Sequence, residues 1–279
     1  MIMKRPNFQF MRGDCLNQHD LRKASEDVKD VFHIAADPEV RRTQDLTQLV
    51  HQNVIATQAL LEELRNRKSV EKLVLASTST VYGNAGIFPT PEDYGPLRPI
   101  SVYGATKLAC EGLISAYAYA DGFQAIILRL ANIIGSRSSH GVINDFIAKL
   151  TADPSRLQVL GDGTQTKSYM HVNDCINAFL AAWAKSSEDV TILNAGSSDC
   201  IDVMKVAEIV QREMKTYAKI ELAQSTPNGA GWTGDVKKMW LDIERLKALG
   251  WQPRKDSAES VTFAAKELLK NARLPQPSK

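Results

Sequence analysis

The sequence predicts an α/β protein built on a parallel sheet, and three observations carry that prediction. Short apolar runs alternate with longer amphipathic stretches, strand then helix then strand. Small and polar residues gather at or just past the predicted strand ends: Asp14, Ala35, Ala36, Ser77, Thr78, Asn132 and Gly135. Ligands of such sheets bind beyond the carboxyl ends of the strands, so these residues mark a candidate crevice. The chain has 279 residues, 44% of them hydrophobic, enough for a sizeable core in one large domain or two small ones.

Residues 8–11 read as a first strand, ending at Gly13-Asp14. Residues 31–36 form a second, apolar enough to be buried on both faces. A long helix is predicted over 45–67, where Leu46, Leu49, Val50, Val54, Leu60, Leu61 and Leu64 lie on or near one stripe at helical spacing. Residues 72–76 are the next strand. The stretch 83–99, rich in Gly and Pro, is loop. A helix over 101–120 and a strand over 125–130 complete this half. After Asn132 the texture changes. Residues 135–141 are a polar loop, 141–150 a short helix, 157–160 a strand and 161–163 a turn. Residues 167–173 run extended into a helix over 174–185, capped by Asp174 or Asn173. Residues 191–194 are a strand and 201–214 a helix. The second half reads as a smaller lobe braided with the first.

Net charge is +2, and the Lys and Arg residues are scattered, so no strong field points to nucleic acid. No apolar run approaches the roughly 20 residues of a membrane span, and the first residues lack a signal-peptide core. Cys15, Cys110, Cys175 and Cys200 lie far apart with no metal-ligand spacing. In a cytoplasmic protein they are free thiols in or near the core.

The chemistry concentrates on Thr78, Tyr103 and Lys107. Tyr103-Gly-Ala-Thr-Lys107 puts Tyr and Lys one helical turn apart on one face. A cation there favours tyrosinate and lowers the Tyr103 pKa from about 10 toward the working range of a general base. Thr78 can hydrogen-bond the same substrate hydroxyl. A lone Tyr-x-x-x-Lys is common and more often a surface pair. Here it opens a helix and follows both a strand ending Ser77-Thr78 and a proline-rich loop, so the combination is far more specific.

Four segments, Ala76-Ser-Thr-Ser-Thr-Val-Tyr-Gly83, Tyr103-Gly-Ala-Thr-Lys107, Leu128-Arg-Leu-Ala-Asn132 and Gly161-Asp-Gly-Thr-Gln-Thr-Lys-Ser-Tyr-Met-His-Val-Asn-Asp174, resemble the UDP-glucose 4-epimerase branch of the extended short-chain dehydrogenase/reductases. The resemblance runs from Phe8 nearly to the end. It implies a Rossmann-like, doubly wound parallel sheet, N-terminally truncated, with a smaller α/β substrate lobe. The NAD-binding domain would comprise residues 1–131 plus about 168–196, and the substrate lobe about 132–167 plus 197–279. Tyr103 would be the catalytic base, assisted by Lys107 and Thr78, with Lys107 also reaching the ribose of NAD. Ser77, Ala35 and Ala36 would line the cofactor groove and Asp14 would hold the adenine, unless Asp14 is only a turn residue. Asn53 would tie the long helix to the neighbouring strand. Asn132 and Lys167 would contact the diphosphate of a nucleotide sugar, a UDP-hexose by resemblance. His33 and His171 read as satisfied core histidines. A homodimer through the helices at 45–67 and 101–120 is expected by analogy.

Relatives that are sugar-nucleotide 4,6-dehydratases carry Asp-Glu just after the catalytic Thr; Ser79-Thr80 stands here, which leaves epimerisation as the simplest chemistry. Three departures stand out. No Gly-x-x-Gly-x-x-Gly occurs to admit a pyrophosphate to a helix N-terminus. Lys167 replaces a forked guanidinium with a point charge. The arginine usual shortly before Gly234-Asp235 is absent. The first departure carries a structural expectation: the strand at 8–11 loses its partner, and 31–36 becomes an exposed apolar edge, unless another chain fills the gap or the first strand moves in. It also keeps two alternatives open: a cofactor-free, non-catalytic remnant, and another NAD(P)-dependent sugar-nucleotide oxidoreductase.

Overall fold

The structure is a computed structural model, and it describes residues 5–40, 46–65, 67, 69–224 and 226–272. The chain forms, in order, α1 (Gln18–Ala24), β1 (Asp30–His33), α2 (Leu46–Val50), a π-helical turn (His51–Ile55), α3 (Ala56–Arg65), β2 (Lys72–Thr78), a 3-10 turn (Ser79–Tyr82), α4 (Val102–Asp121) and β3 (Gln124–Leu130). Next come β4 (Asn132–Ile134), α5 (Val142–Ala152), β5 (Arg156–Leu160), β6 (Thr166–Lys167), β7 (Tyr169–His171), α6 (Val172–Lys185) and β8 (Val190–Ala195). The last elements are β9 (Ile201–Asp202), α7 (Val203–Met214), β10 (Lys219–Ala223), β11 (Lys238–Met239), α8 (Glu244–Ala248) and α9 (Ser257–Ala272).

Four strands make the main sheet, in the order β1-β2-β3-β8, all parallel. Helices cover both of its faces, as parallel sheets require. Alternate residues divide between them. Leu73, Leu75, Ala125 and Ile127 pack with Leu60, Leu61 and Leu64 of α3 and Ile114 of α4. Val74, Ile126 and Leu128 pack with Ala178, Phe179 and Ala182 of α6. Each such Leu or Ile contributes about 1.5–3 kcal/mol by leaving water. Around the second half run three small sheets, β10-β5, β11-β6-β9 and β4-β7, with a separate core of Phe146, Leu150, Val206, Val210 and Ala264.

Several expectations are corrected. Residues 8–11 form no strand; Phe8 and Phe10 are exposed, because no neighbouring backbone offers them a ladder. The second strand stops at His33, and it is not buried on both faces: Phe32 and Ile34 are 39% and 61% exposed. β1 is therefore the open apolar edge anticipated above. The long helix is three pieces, α2, the π-helical turn and α3; Asp45 and Asn66 of the predicted span lie outside the described residues. The helix over 172–185 is capped by neither Asp174 nor Asn173. His171 Nδ1 accepts from the Asn173 N–H at 3.3 Å, while the Asp174 carboxylate is buried and accepts from the Arg254 N–H.

Candidate active site

β2 and α4 build the centre of the site. Thr78 ends β2 and caps the turn that follows, its Oγ1 accepting from the Thr80 N–H at 3.2 Å. α4 opens on Ser101, whose Oγ accepts from the Gly104 N–H at 3.1 Å. Tyr103 and Lys107 follow on the first turns. A Cβ at Gly104 would stand 2.8 Å from the Thr80 carbonyl oxygen, so only glycine lets α4 lie this close to the turn. That contact brings the Thr78 side chain near enough to the Tyr103 hydroxyl to favour its ionised form.

The expected lowering of the Tyr103 pKa is not met. Burial pushes it up to about 12; Thr78 pulls the other way, while Cys110 and Asp37 add to the rise. Desolvation disfavours tyrosinate more than Thr78 favours it. Lys107 is 2% exposed and makes no hydrogen bond or ion pair with any described residue. Burial lowers its pKa, while nearby Cys110 and Glu111 push it back up. A buried ammonium without a partner is costly unless something else satisfies it.

Asn53 is 2% exposed and lies inside the π-helical turn. Its Oδ1 accepts from the Asp37 N–H at 2.7 Å, and its Nδ2 donates to the Asp37 carbonyl and to Thr106 Oγ1, both at 3.0 Å. It thus ties the helix to the segment just past β1, as expected, and to α4 as well. Below it, His33 Nε2 meets Thr57 Oγ1 at 2.9 Å, and burial followed by the Lys107 charge drops the His33 pKa to about 4. His171, 1% exposed, meets Glu267 at 3.1 Å. Both histidines are satisfied core residues.

Other predicted residues sit apart from this centre. Ala35 is exposed and Ala36 half-buried, both in the segment past β1. Asp14 is exposed and its contacts are those of a turn: Oδ1 accepts from the Leu16 N–H at 2.9 Å, and its N–H donates to Asp20. Asn132 opens β4, and its Nδ2 is buried with no hydrogen-bond partner. Lys167 is paired with Asp235 at 2.5 Å and lies 5.2 Å from the centre of the Trp232 ring. A cleft of about 570 Å³ runs from Asp37 and Glu39 across to His140, Asn144, Asp145 and Trp232. All four cysteines are free. Among the described residues no helix is long and apolar enough to cross a membrane.

One buried cluster was not foreseen. Ser77 Oγ donates to Glu111 Oε1. Arg129 grips the same carboxylate, Nη2 to Oε2 at 2.8 Å, both side chains 4% exposed. Arg129 Nη1 also donates to the Tyr82 hydroxyl at 3.0 Å and the Glu92 carbonyl at 2.9 Å. Tyr82 donates to Asn194 at 2.7 Å. Two signals for it stood in the sequence. Glu111 follows Lys107 by four residues, as Lys107 follows Tyr103, so the three share one helix face. Arg129 interrupts an apolar strand, where a buried charge must find a partner.

Residues 2–196 match the family described as "NAD dependent epimerase/dehydratase family". The chain belongs to that family. It is similar to a putative UDP-glucose 4-epimerase of Methanocaldococcus jannaschii, 30% identical over 263 residues, covering 92% of this chain and 82% of the relative. Among solved structures it resembles a UDP-galactose 4-epimerase at 38% identity and a TM-score of 0.83, covering 96% of this chain and 85% of that one. It also resembles the UDP-glucuronic acid 4-epimerase of Bacillus cereus in complex with UDP-glucuronic acid and NAD, at 28% identity and a TM-score of 0.85, covering 96% and 83%. Family and neighbours make the chain an NAD-dependent enzyme of the epimerase class with a Rossmann-like fold. The nicotinamide-ribose half of an NAD site fits the residues present, because Lys107 is an unpaired buried donor beside Tyr103 and Thr78. For the pyrophosphate half, no glycine-rich turn follows a strand of the main sheet among the described residues.

Proposed function

We propose that the chain is a nucleotide-sugar 4-epimerase acting on a UDP-hexose. The placement of Thr78 at the end of β2 against the first turns of α4, which carry Tyr103 and then Lys107, supports this reading. Tyr103 takes the proton of the sugar hydroxyl and returns it after the keto sugar has turned over. Thr78 orients that hydroxyl. Lys107 holds the ribose and supplies the positive charge that must draw the Tyr103 pKa down from about 12 during turnover. NAD, when bound, would supply the hydride acceptor and donor for the carbon that bears this hydroxyl, so none would be consumed. Asn132 Nδ2, a buried donor without a partner, suits a diphosphate oxygen. Lys167 reaches that diphosphate only by sharing or leaving Asp235. Ser77, Ala35, Ala36 and Asn53 wall the cofactor side; Asp14 reaches adenine only if its turn lies over the cofactor. Ser79 and Thr80 offer no carboxylate for eliminating water, which favours epimerisation over dehydration.

The cofactor domain in this reading is residues 1–131 with 168–196, and the substrate lobe 132–167 with 197–279. Val50, Ile55 and Tyr119, exposed on the α2–α3 and α4 helices, support a homodimer through that face; a monomer in analytical ultracentrifugation at micromolar concentration rules it out. Tyr103→Phe abolishes interconversion of UDP-glucose and UDP-galactose while the fold stays intact, and unchanged turnover in that variant ends the mechanism. Net consumption of NAD(P)H during turnover would reassign the chain as a reductase or dehydrogenase. The open edge of β1 favours a second reading, a non-catalytic binder of nucleotide sugars. Mass spectrometry of the denatured protein separates the two, since the binder carries no NAD.

A further inference from the structure

Glu111 links the end of β2 to β3 from its place on α4. Its Oε1 accepts from Ser77 Oγ, the residue next to Thr78, and both its oxygens are gripped by the guanidinium of Arg129. It stands one turn beyond Lys107 on α4. Arg129 cannot drift, because Tyr82 and the Glu92 carbonyl hold its other nitrogen and its guanidinium lies 4.8 Å from the centre of the Tyr82 ring. We infer that Glu111 is a positioning residue for the reaction: clamped by Arg129, its carboxylate anchors the Ser77–Thr78 strand end on one side and balances the Lys107 ammonium on the other. It touches neither substrate nor cofactor and acts through Thr78 and Lys107. The inference rests on the roles proposed for those two residues.

The charges around Lys107 make the test specific. His33 faces it from β1, and Cys110 and Glu111 from α4 itself. Glu111 is the one carboxylate among these three groups. Arg129, on β3, faces Glu111. Removing the carboxylate leaves burial of Lys107 less opposed, so the ammonium gives up its proton more readily.

The experiment follows Lys107 directly, by NMR of protein labelled with 13C at lysine Cε and assigned by comparison with Lys107→Met, and needs no turnover. In Glu111→Gln the Lys107 titration midpoint falls by about one pH unit, the scale on which a nearby charge moves a buried group. Glu111→Asp keeps the charge and restores the midpoint, which a purely structural role would not do. Should Glu111→Gln fail to fold, the Ser77→Ala comparison carries the test by itself. Ser77→Ala breaks the other link: exchange of the Thr80 amide, bonded to Thr78 Oγ1, quickens at least tenfold while the Lys107 midpoint stays put. An unchanged Lys107 midpoint in Glu111→Gln, or an unchanged Thr80 amide in Ser77→Ala, overturns the inference. Loss of epimerase activity in the unaltered protein would instead count against the proposed function.

Discussion

Replacing Asn53 with alanine tests whether one side chain holds the helical layer to the mouth of the site. Asn53 makes three side-chain hydrogen bonds, two to the backbone of Asp37 and one to Thr106. A net hydrogen bond contributes about 1 kcal/mol, so the three together contribute about 3 kcal/mol. Part of that returns. Asp37 is only half-buried, so water can reach its freed N–H and carbonyl. Thr106 keeps its own bond to the Tyr103 carbonyl at 2.9 Å. The expected loss is therefore about 2–3 kcal/mol. For a chain of this length each kcal/mol moves the melting temperature by about 2–4 °C, which gives a fall of roughly 5–10 °C by circular dichroism. Hydrogen exchange should quicken at Asp37 before it quickens in the sheet. A melting temperature within about 2 °C of the original would show that the bonds contribute nothing and that the segment past β1 is held some other way. Asn53→Asp should be worse than alanine, since it turns a carboxylate toward the Asp37 carbonyl that Nδ2 now satisfies.

Leu61 is fully buried between α3 and the sheet, and Leu61→Ala should cost about 2–5 kcal/mol in urea unfolding. His33 gives a pH dependence with a definite sign. Its folded pKa, about 4, lies below its ordinary value of 6.5; the unfolded chain therefore binds the proton first as pH falls. Stability should be full above about pH 6.5 and decline toward pH 4 by about 3 kcal/mol from this residue, at 1.36 kcal/mol per unit. The difference between the original and His33→Gln in urea midpoints across that range measures it; parallel curves would refute it. Phe32→Lys on the exposed edge strand should reduce concentration-dependent association in light scattering without lowering the melting temperature by more than about 1–2 °C.

The centre of the main sheet was legible because β2 and β3 bury both faces and so read as unbroken apolar runs: residues 72–76 and 125–130 fall inside them. The proposed trio of Thr78, Tyr103 and Lys107 stood out because its spacing is local, with Tyr103 and Lys107 one turn apart on α4. What lay in long-range contacts was not legible. Phe8 and Phe10 alternate as strand residues do, yet a strand needs a partner's backbone, and pairing is not written into the strand itself. The Tyr103 pKa went the wrong way because the cation was visible in the sequence and the burial was not. Arg129 and Glu111 each showed an anomaly, but only the fold places a residue of β3 against one of α4. The long helix differed at one point, a π-helical turn at His51–Ile55, although Asn53 interrupts the apolar stripe four residues after Leu49 and is buried as that position implies.

Three stretches of the chain at the junction of the main sheet and the small sheets meet at a single spot. The Ala131 N–H donates to the Ala195 carbonyl at 2.9 Å, the Asn132 N–H to the Ser168 carbonyl at 3.3 Å, and the Ser197 N–H to Ser168 Oγ at 3.0 Å. A Cβ added at Gly196 would sit 3.1 Å from the Ala131 Cβ and 3.4 Å from Ser168 Oγ. Three segments fastened together at one point, by two backbone bonds and one to the Ser168 hydroxyl, act as a rivet and leave no free tether. The two halves of the molecule cannot swing apart as beads on a string, so any breathing of the cleft must come from its loops. Melting should follow suit, with both cores giving way in one cooperative step, because neither can unravel without pulling the other's strands through the same fastening.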